Sequence, residues 1–204
     1  MSRGVSRVAA MDGGPATMLP LFPLGSVLVP GASLGLRVFE PRYLDLVREC
    51  GRTGGTFGVC LILDGDEVGA PATPAAWGTE AVIEDFDRDA DGLLALQVRG
   101  ARRFRVQQVR VRDNGLGVAG VEWQEPDPEA RPLPEHALLR DVLAGILEQA
   151  GSDPYAVPKE KMEDAAWIGW RLAELLPLED GERLSLLQEP DPHARLQKIL
   201  DFIS

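Results

Sequence analysis

Three segments and two histidines stand out as possible sites. Gly31-Ala32-Ser33-Leu34-Gly35 matches the G-x-S-x-G arrangement that presents a hydrolase serine on a sharp turn. Such a turn needs a helix after the serine. Ser33 is followed by strand-like Leu34-Gly35-Leu36-Arg37-Val38-Phe39, so a turn-and-strand role is expected instead. Residues 115–120, GLGVAG, match the G-x-G-x-x-G pattern of a dinucleotide loop. A phosphate loop must open a helix, and Pro126 and Pro128 stop one from continuing here, so the glycines are expected to serve a hairpin. The two histidines, His136 and His193, each stand near a helix start with no partner at metal-ligand spacing, and are expected at the surface. No phosphate-binding G-x-x-x-x-G-K-[ST] loop occurs, and no metal or cofactor is expected. Last, residues 99–112 hold six arginines interleaved with Phe104, Val106, Val109 and Val111. Apolar residues inward and arginines outward is the plain reading, with Glu84, Asp85 and Asp87 available as partners. Arg102, Arg103 and Arg105 would form the basic patch if the strand binds nucleic acid or an acidic peptide.

Composition narrows these possibilities. With 21 basic and 32 acidic residues among 204, the formal charge of −11 repels phosphate backbones and anionic membranes. Residues 19–43, LPLFPLGSVLVPGASLGLRVFEPRY, are apolar enough to suggest a membrane anchor, but Pro20, Pro23, Gly25, Pro30 and Gly31 interrupt them too often for a spanning helix. Cys50 and Cys60 lack CxxC spacing and read as buried free thiols of a protein in a reducing cytoplasm.

Hydrophobic periodicity divides the chain after its first residues into two halves. Residues 1–16 read as a disordered lead-in, 17–125 as a β-rich domain, and 126–204 as a helical bundle. Val27–Val29 and Leu34–Phe39 flank Pro30-Gly31 like a hairpin, and 41–50 forms a short helix opened by Pro41 and stopped by Gly51. Residues 56–63 form a central strand, 64–77 a loop, and Asp91-Gly92 and Asn114-Gly115 the tight turns of two hairpins. Four prolines crowd 124–135, the expected boundary between the halves. Beyond it Leu138, Leu139, Val142, Leu143, Ile146 and Leu147 repeat at helical spacing, and Asp191-Pro192 starts the last helix.

The motifs LPLFPLGSVLVPG, LGLRVFEPRYLDLV, FGVCLIL, GTEAVIEDF and LQVRGARRFRV together resemble the N-terminal substrate-binding domain of the Lon protease family. The resemblance runs from Leu19 to about Arg105 and more loosely into the helices. It implies an α+β fold: a PUA-like twisted β-barrel or sheet with one short helix, followed by a helical bundle. It also implies a stand-alone, non-catalytic role in recognising unfolded or tagged polypeptide, with a protease or chaperone as the recruiting partner in protein quality control. An apolar groove between the two halves would hold the client, with Phe39, Glu40, Arg42, Tyr43 and Trp77 as the expected contacts. For Glu40-Pro41-Arg42-Tyr43 a structural strand-to-helix corner is the competing role. The alternative function is a nucleic-acid-associated PUA-like module that uses the arginine strand.

Overall fold

The computed structural model describes residues 17–151 and 157–204; the lead-in 1–16 lies outside them. Six strands, β1 (Thr17–Leu24), β2 (Ser33–Val38), β3 (Phe57–Asp64), β4 (Thr73–Arg88), β5 (Leu94–Val111) and β6 (Gly117–Trp123), form one mixed sheet in the order β2-β5-β4-β3-β1-β6. An additional β5–β6 pairing closes five of them into a ring, leaving β2 attached outside along β5. Among the described residues five α-helices complete the fold: α1 (Pro41–Thr53), α2 (Ala137–Gln149), α3 (Ala165–Leu175), α4 (Asp180–Gln188) and α5 (Pro192–Ile203).

The expected hairpin around Pro30-Gly31 is absent. Gly31 does make a left-handed turn at φ 76°, but Val27–Val29 are not in a strand. The preceding strand is β1, which lies inside the sheet rather than at an edge: residues 17–20 pair with β6 and 21–24 run parallel to β3. Because each half of β1 ladders with a different neighbour, Pro20 and Pro23 each sit where the pairing on one side is incomplete, which is where a missing N–H is tolerated. Helix α1 runs through Gly51 and ends at Gly54, whose φ of 68° supplies the left-handed cap. The loop expected over 64–77 is shorter, since β4 already starts at Thr73.

The stretches on either side of Gly100 merge into the single 18-residue strand β5. Its first half pairs with β2 and its second with β6, and the bare Gly100 lets the Val29 carbonyl press against the backbone where the partners change. Inside the ring Phe104 is fully buried over two glycines: a Cβ at Gly58 or Gly78 would come within 2.6 or 2.5 Å of its Cζ. Leu19, Leu21, Cys60, Ala119 and Val121 complete that small core.

A larger core lies outside the ring. It runs without a break from Phe22, Tyr43, Leu46 and Phe57 to Leu139, Leu143, Ile168, Leu172, Leu186, Leu196 and Ile199. Among the residues read at helical spacing, Leu139 and Leu143 are buried while Leu138 is exposed. The last helix starts as its sequence dictates, with the Asp191 carboxylate accepting from the His193 N–H at 2.8 Å and Pro192 in the first turn.

The proline-rich stretch between the halves is tied down at its centre. Asp127 accepts from Arg195 Nη1 and Nη2 at 3.1 and 2.9 Å, Arg103 Nη2 at 3.1 Å and Trp170 Nε1 at 2.6 Å. Arg195 is fully buried with its guanidinium 3.6 Å from the Trp170 ring centroid. Burial lowers the pKa of both arginines, with Asp127 acting in the opposite sense.

Candidate functional site

An apolar groove of about 580 Å³ runs between α1 and the outer part of β4. Helix α1 contributes Leu44, Val47 and Arg48 to one wall, β4 contributes Val82, Ile83, Glu84 and Phe86 to the other, and Leu94 closes the end. The chain segment Gly54-Gly55-Thr56, joining α1 to β3, forms the near end. Two features of the sequence create this space. Gly54 turns the chain abruptly into β3, and the tight turn at Gly92, φ 78°, lets β4 and β5 project beyond the ring. Phe86 is 70% exposed and Val82 38%, so apolar surface faces solvent here although the protein has helices available to cover it. The walls carry charge at their rims: Arg48 pairs with Asp45 at 2.8 Å, and Glu84 binds Arg99 through both oxygens.

The residues expected to touch a client are only partly brought together. Phe39 is half exposed, Trp77 packs against the core, and Tyr43 is buried, stacked on Phe22 with centroids 4.1 Å apart. Arg42 is buried too; its Nη2 reaches Glu40 at 3.2 Å, its Nη1 reaches the Gly115 carbonyl at 3.5 Å, and its Nε has no partner among the described residues. Glu40 also accepts from the Gly69 N–H at 3.4 Å. None of the five lines the α1–β4 groove. That groove lies within the β-rich half, not between the halves as expected, and Val82, Phe86, Leu44 and Val47 were not singled out from sequence. The available signal was Phe86 itself, an aromatic residue set between Asp85 and Asp87 near a hairpin tip.

The basic patch is not built as expected. Arg103 is buried in the Asp127 cluster and donates to the carbonyls of Leu187 and Glu189 at 3.0 and 3.1 Å. Arg102 forks onto Glu80 at 2.8 and 3.1 Å and covers the Trp123 ring at 3.8 Å. Burial would raise the Glu80 carboxyl, but hydrogen bonds from Arg102 and Thr56 outweigh it and hold the group below its ordinary range. Arg99 and Arg112 are engaged by Glu84 and Glu49. Arg105 is exposed and makes no ion pair among the described residues.

The remaining reactive candidates are occupied or sealed. The Ser33 hydroxyl accepts from Gln97 Nε2 at 2.5 Å, with no histidine beside it. His136, expected at the surface, is 2% exposed and stacks on His193, which covers it from α5. Cys50 and Cys60 are free and buried, and burial pushes the Cys60 thiol up to about 12. Native protein at pH 8 should therefore leave Cys60 unmodified by a thiol reagent until urea unfolds it; rapid native labelling would contradict its burial. Since the raised value belongs to the folded state, this contribution to stability is complete below about pH 8.5 and is lost as pH climbs toward the folded value.

Comparison with known proteins agrees with the architecture. A profile described as ATP-dependent protease La (LON) substrate-binding domain matches residues 18–204. The chain belongs to this family. A solved Lon N-terminal domain protein from Xanthomonas campestris is 60% identical, with a TM-score of 0.78 over 91% of this chain and 98% of that one. The N-terminal domain of the Mycobacterium avium complex Lon protease shares the fold at 18% identity, with a TM-score of 0.67 over 91% and 97% of the two chains. Among curated proteins, cereblon from Danio rerio is 29% identical over 51% of this chain, and cereblon from Gallus gallus 26% over 78%. The chain spans only 25% and 34% of the length of those two relatives.

Proposed function

We propose that this Lon substrate-binding-family domain is a non-catalytic polypeptide-binding module that receives exposed apolar segments of unfolded or tagged protein in the α1–β4 groove. The observation that carries this reading is the solvent-facing pair Val82 and Phe86 lining one apolar groove together with Leu44 and Val47. Within this proposal the module acts as an adaptor in quality control, delivering clients to a protease or chaperone, a reading in keeping with the family's description as substrate-binding. Unpaired buried thiols favour a cytoplasmic setting. The ring of strands closed by β5–β6 pairing fits the PUA-like class, and 17–125 and 126–204 are best treated as two parts of one unit sharing a core. Direct client contact at the Glu40–Tyr43 corner is the lesser role, because Arg42 and Tyr43 face inward. The nucleic-acid alternative is weakened by the carboxylate partners of Arg99, Arg102, Arg103 and Arg112.

The test is a fluorescence titration with labelled, unfolded casein. A Val82→Ser/Phe86→Ser variant should bind at least about tenfold more weakly than the parent, since it loses apolar contact area worth more than 1.4 kcal/mol. Its melting temperature should stay within about 3 °C, because both side chains are already exposed. Unchanged affinity in the variant would remove the groove from the account.

A further inference from the structure

The groove lies along an incomplete edge of the sheet. Strand β3 begins at Phe57, which pairs with Ala81, so β4 from Val82 to Arg88 has β5 on one side and no strand on the other. Gly54, Gly55 and Thr56, the residues that would have extended β3 along this edge, turn away into α1 and form the groove's near end. Alternate residues of an antiparallel strand direct their N–H and C=O groups to opposite edges. The Phe86 and Arg88 amides turn from β5 and are held by the carboxylates of the residues before them, Asp85 at 2.9 Å and Asp87 at 2.7 Å. Exposed carboxylates on edge amides are a guard that water or a carbonyl can replace, and they discourage indiscriminate strand pairing.

We infer that the client enters as an extended strand, hydrogen-bonding antiparallel to β4 over 82–88 in line with β3, with alternate apolar side chains in the groove under α1; this rests on the polypeptide-binding reading above. An added strand would lie about 4.7–4.9 Å from β4. Its carbonyls take over the Phe86 and Arg88 amides and release the carboxylates of Asp85 and Asp87, which form no ion pair among the described residues. A client with Lys or Arg between its apolar residues supplies the partners those carboxylates lack. The same charge disfavours a second copy of this chain as occupant: Glu84, Asp89 and Asp91 are paired with Arg99 and Arg37, but edge-to-edge pairing would still bring together the Asp85 and Asp87 carboxylates of two hairpins. This mode draws its affinity from main-chain hydrogen bonds and its selectivity from alternate side chains.

A nine-residue fluorescent peptide alternating leucine or valine with lysine tests it. Two versions are N-methylated, one on odd and one on even amides, so that each blocks one strand edge. One version should bind at least about tenfold more weakly than the other, and a glutamate-for-lysine peptide should also lose about tenfold. Phe86→Pro, which deletes the edge amide, should bind about tenfold more weakly than Phe86→Ala at matched melting temperature; Arg88→Pro serves the same purpose if Phe86→Pro does not fold. Equal binding of the two methylated peptides, or of the lysine and glutamate peptides, overturns strand addition by a basic segment while leaving polypeptide binding intact. Self-association that grows with protein concentration and disappears in Phe86→Pro gives the edge to a second copy and overturns the inference. No saturable binding of either the unmodified peptide or unfolded casein would sink the polypeptide-binding reading as well.

Discussion

Replacing Asp127 with Asn should cost about 3–5 kcal/mol of unfolding free energy, the scale for leaving buried charge without its partner. Asp127 is the only carboxylate that both Arg103 and Arg195 reach among the described residues, and Arg195 has no exposed surface from which water could replace it. The Glu189 carbonyl and the Trp170 ring stay in place but cannot neutralise a guanidinium. Since the cluster joins β5, the stretch before α2, α3 and α5, the loss should appear as one cooperative transition at lower urea, not as local fraying. Adding Arg195→Met to the variant should restore part of the stability, because an apolar side chain of similar volume needs no counter-charge. An Asp127→Asn loss below about 1 kcal/mol would mean that the two arginines find other partners, and the cluster would not be what locks the helices to the strands.

Tyr43→Ala should cost about 3–5 kcal/mol, the usual price of an aromatic-sized void in a packed core. Tyr43 stacks on Phe22 at 4.1 Å and Phe22 in turn faces Phe57 at 6.0 Å, so the void opens between α1, β1 and β3. Arg42→Ala should cost less, about 1–2 kcal/mol, although Arg42 is equally buried. Its bond to Gly115 is long, its Nε is unpartnered, and Glu40 keeps some contact with solvent, so less favourable interaction is lost. Client affinity should be unchanged in Arg42→Ala, because that side chain does not line the groove. Urea titrations and casein binding on both variants decide the matter. Lost affinity with stability intact in Arg42→Ala would move the binding site to the corner, and equal tolerance of both substitutions would contradict the packing described for it.

What could be read from sequence was what short-range chemistry fixes. Asp91-Gly92 and Asn114-Gly115 form their turns because the positive φ demanded there, 78° and 85° at the glycines, is a local requirement. Asp191-Pro192 starts α5 for the same kind of reason. Pairings between distant segments leave no such mark. The parallel β1–β3 contact made an internal strand out of a proline-rich stretch that looks like an edge, and one long β5 replaced two strands because its two halves serve different neighbours. Arg102 and Arg103 are adjacent and chemically identical in sequence. Their fates diverge because a strand sends successive side chains to opposite faces, one toward Glu80 and Trp123 and the other toward Asp127 and the end of α4. His136 is buried only because His193, from α5, lies over it. The groove was hardest to foresee, since it is space left where β3 stops short of β4, and a missing strand segment has no residues to read.

Amide hydrogen exchange of the full chain, with and without saturating unfolded casein, reports directly whether the α1–β4 groove holds client. Client in the groove should slow exchange in two segments, residues 44–56 along α1 and its exit and residues 82–94 along the outer β4 edge and hairpin, and leave 99–112 and α5 unaffected. Protection confined to the arginine strand, or no protection in either segment at saturating client, would contradict the account.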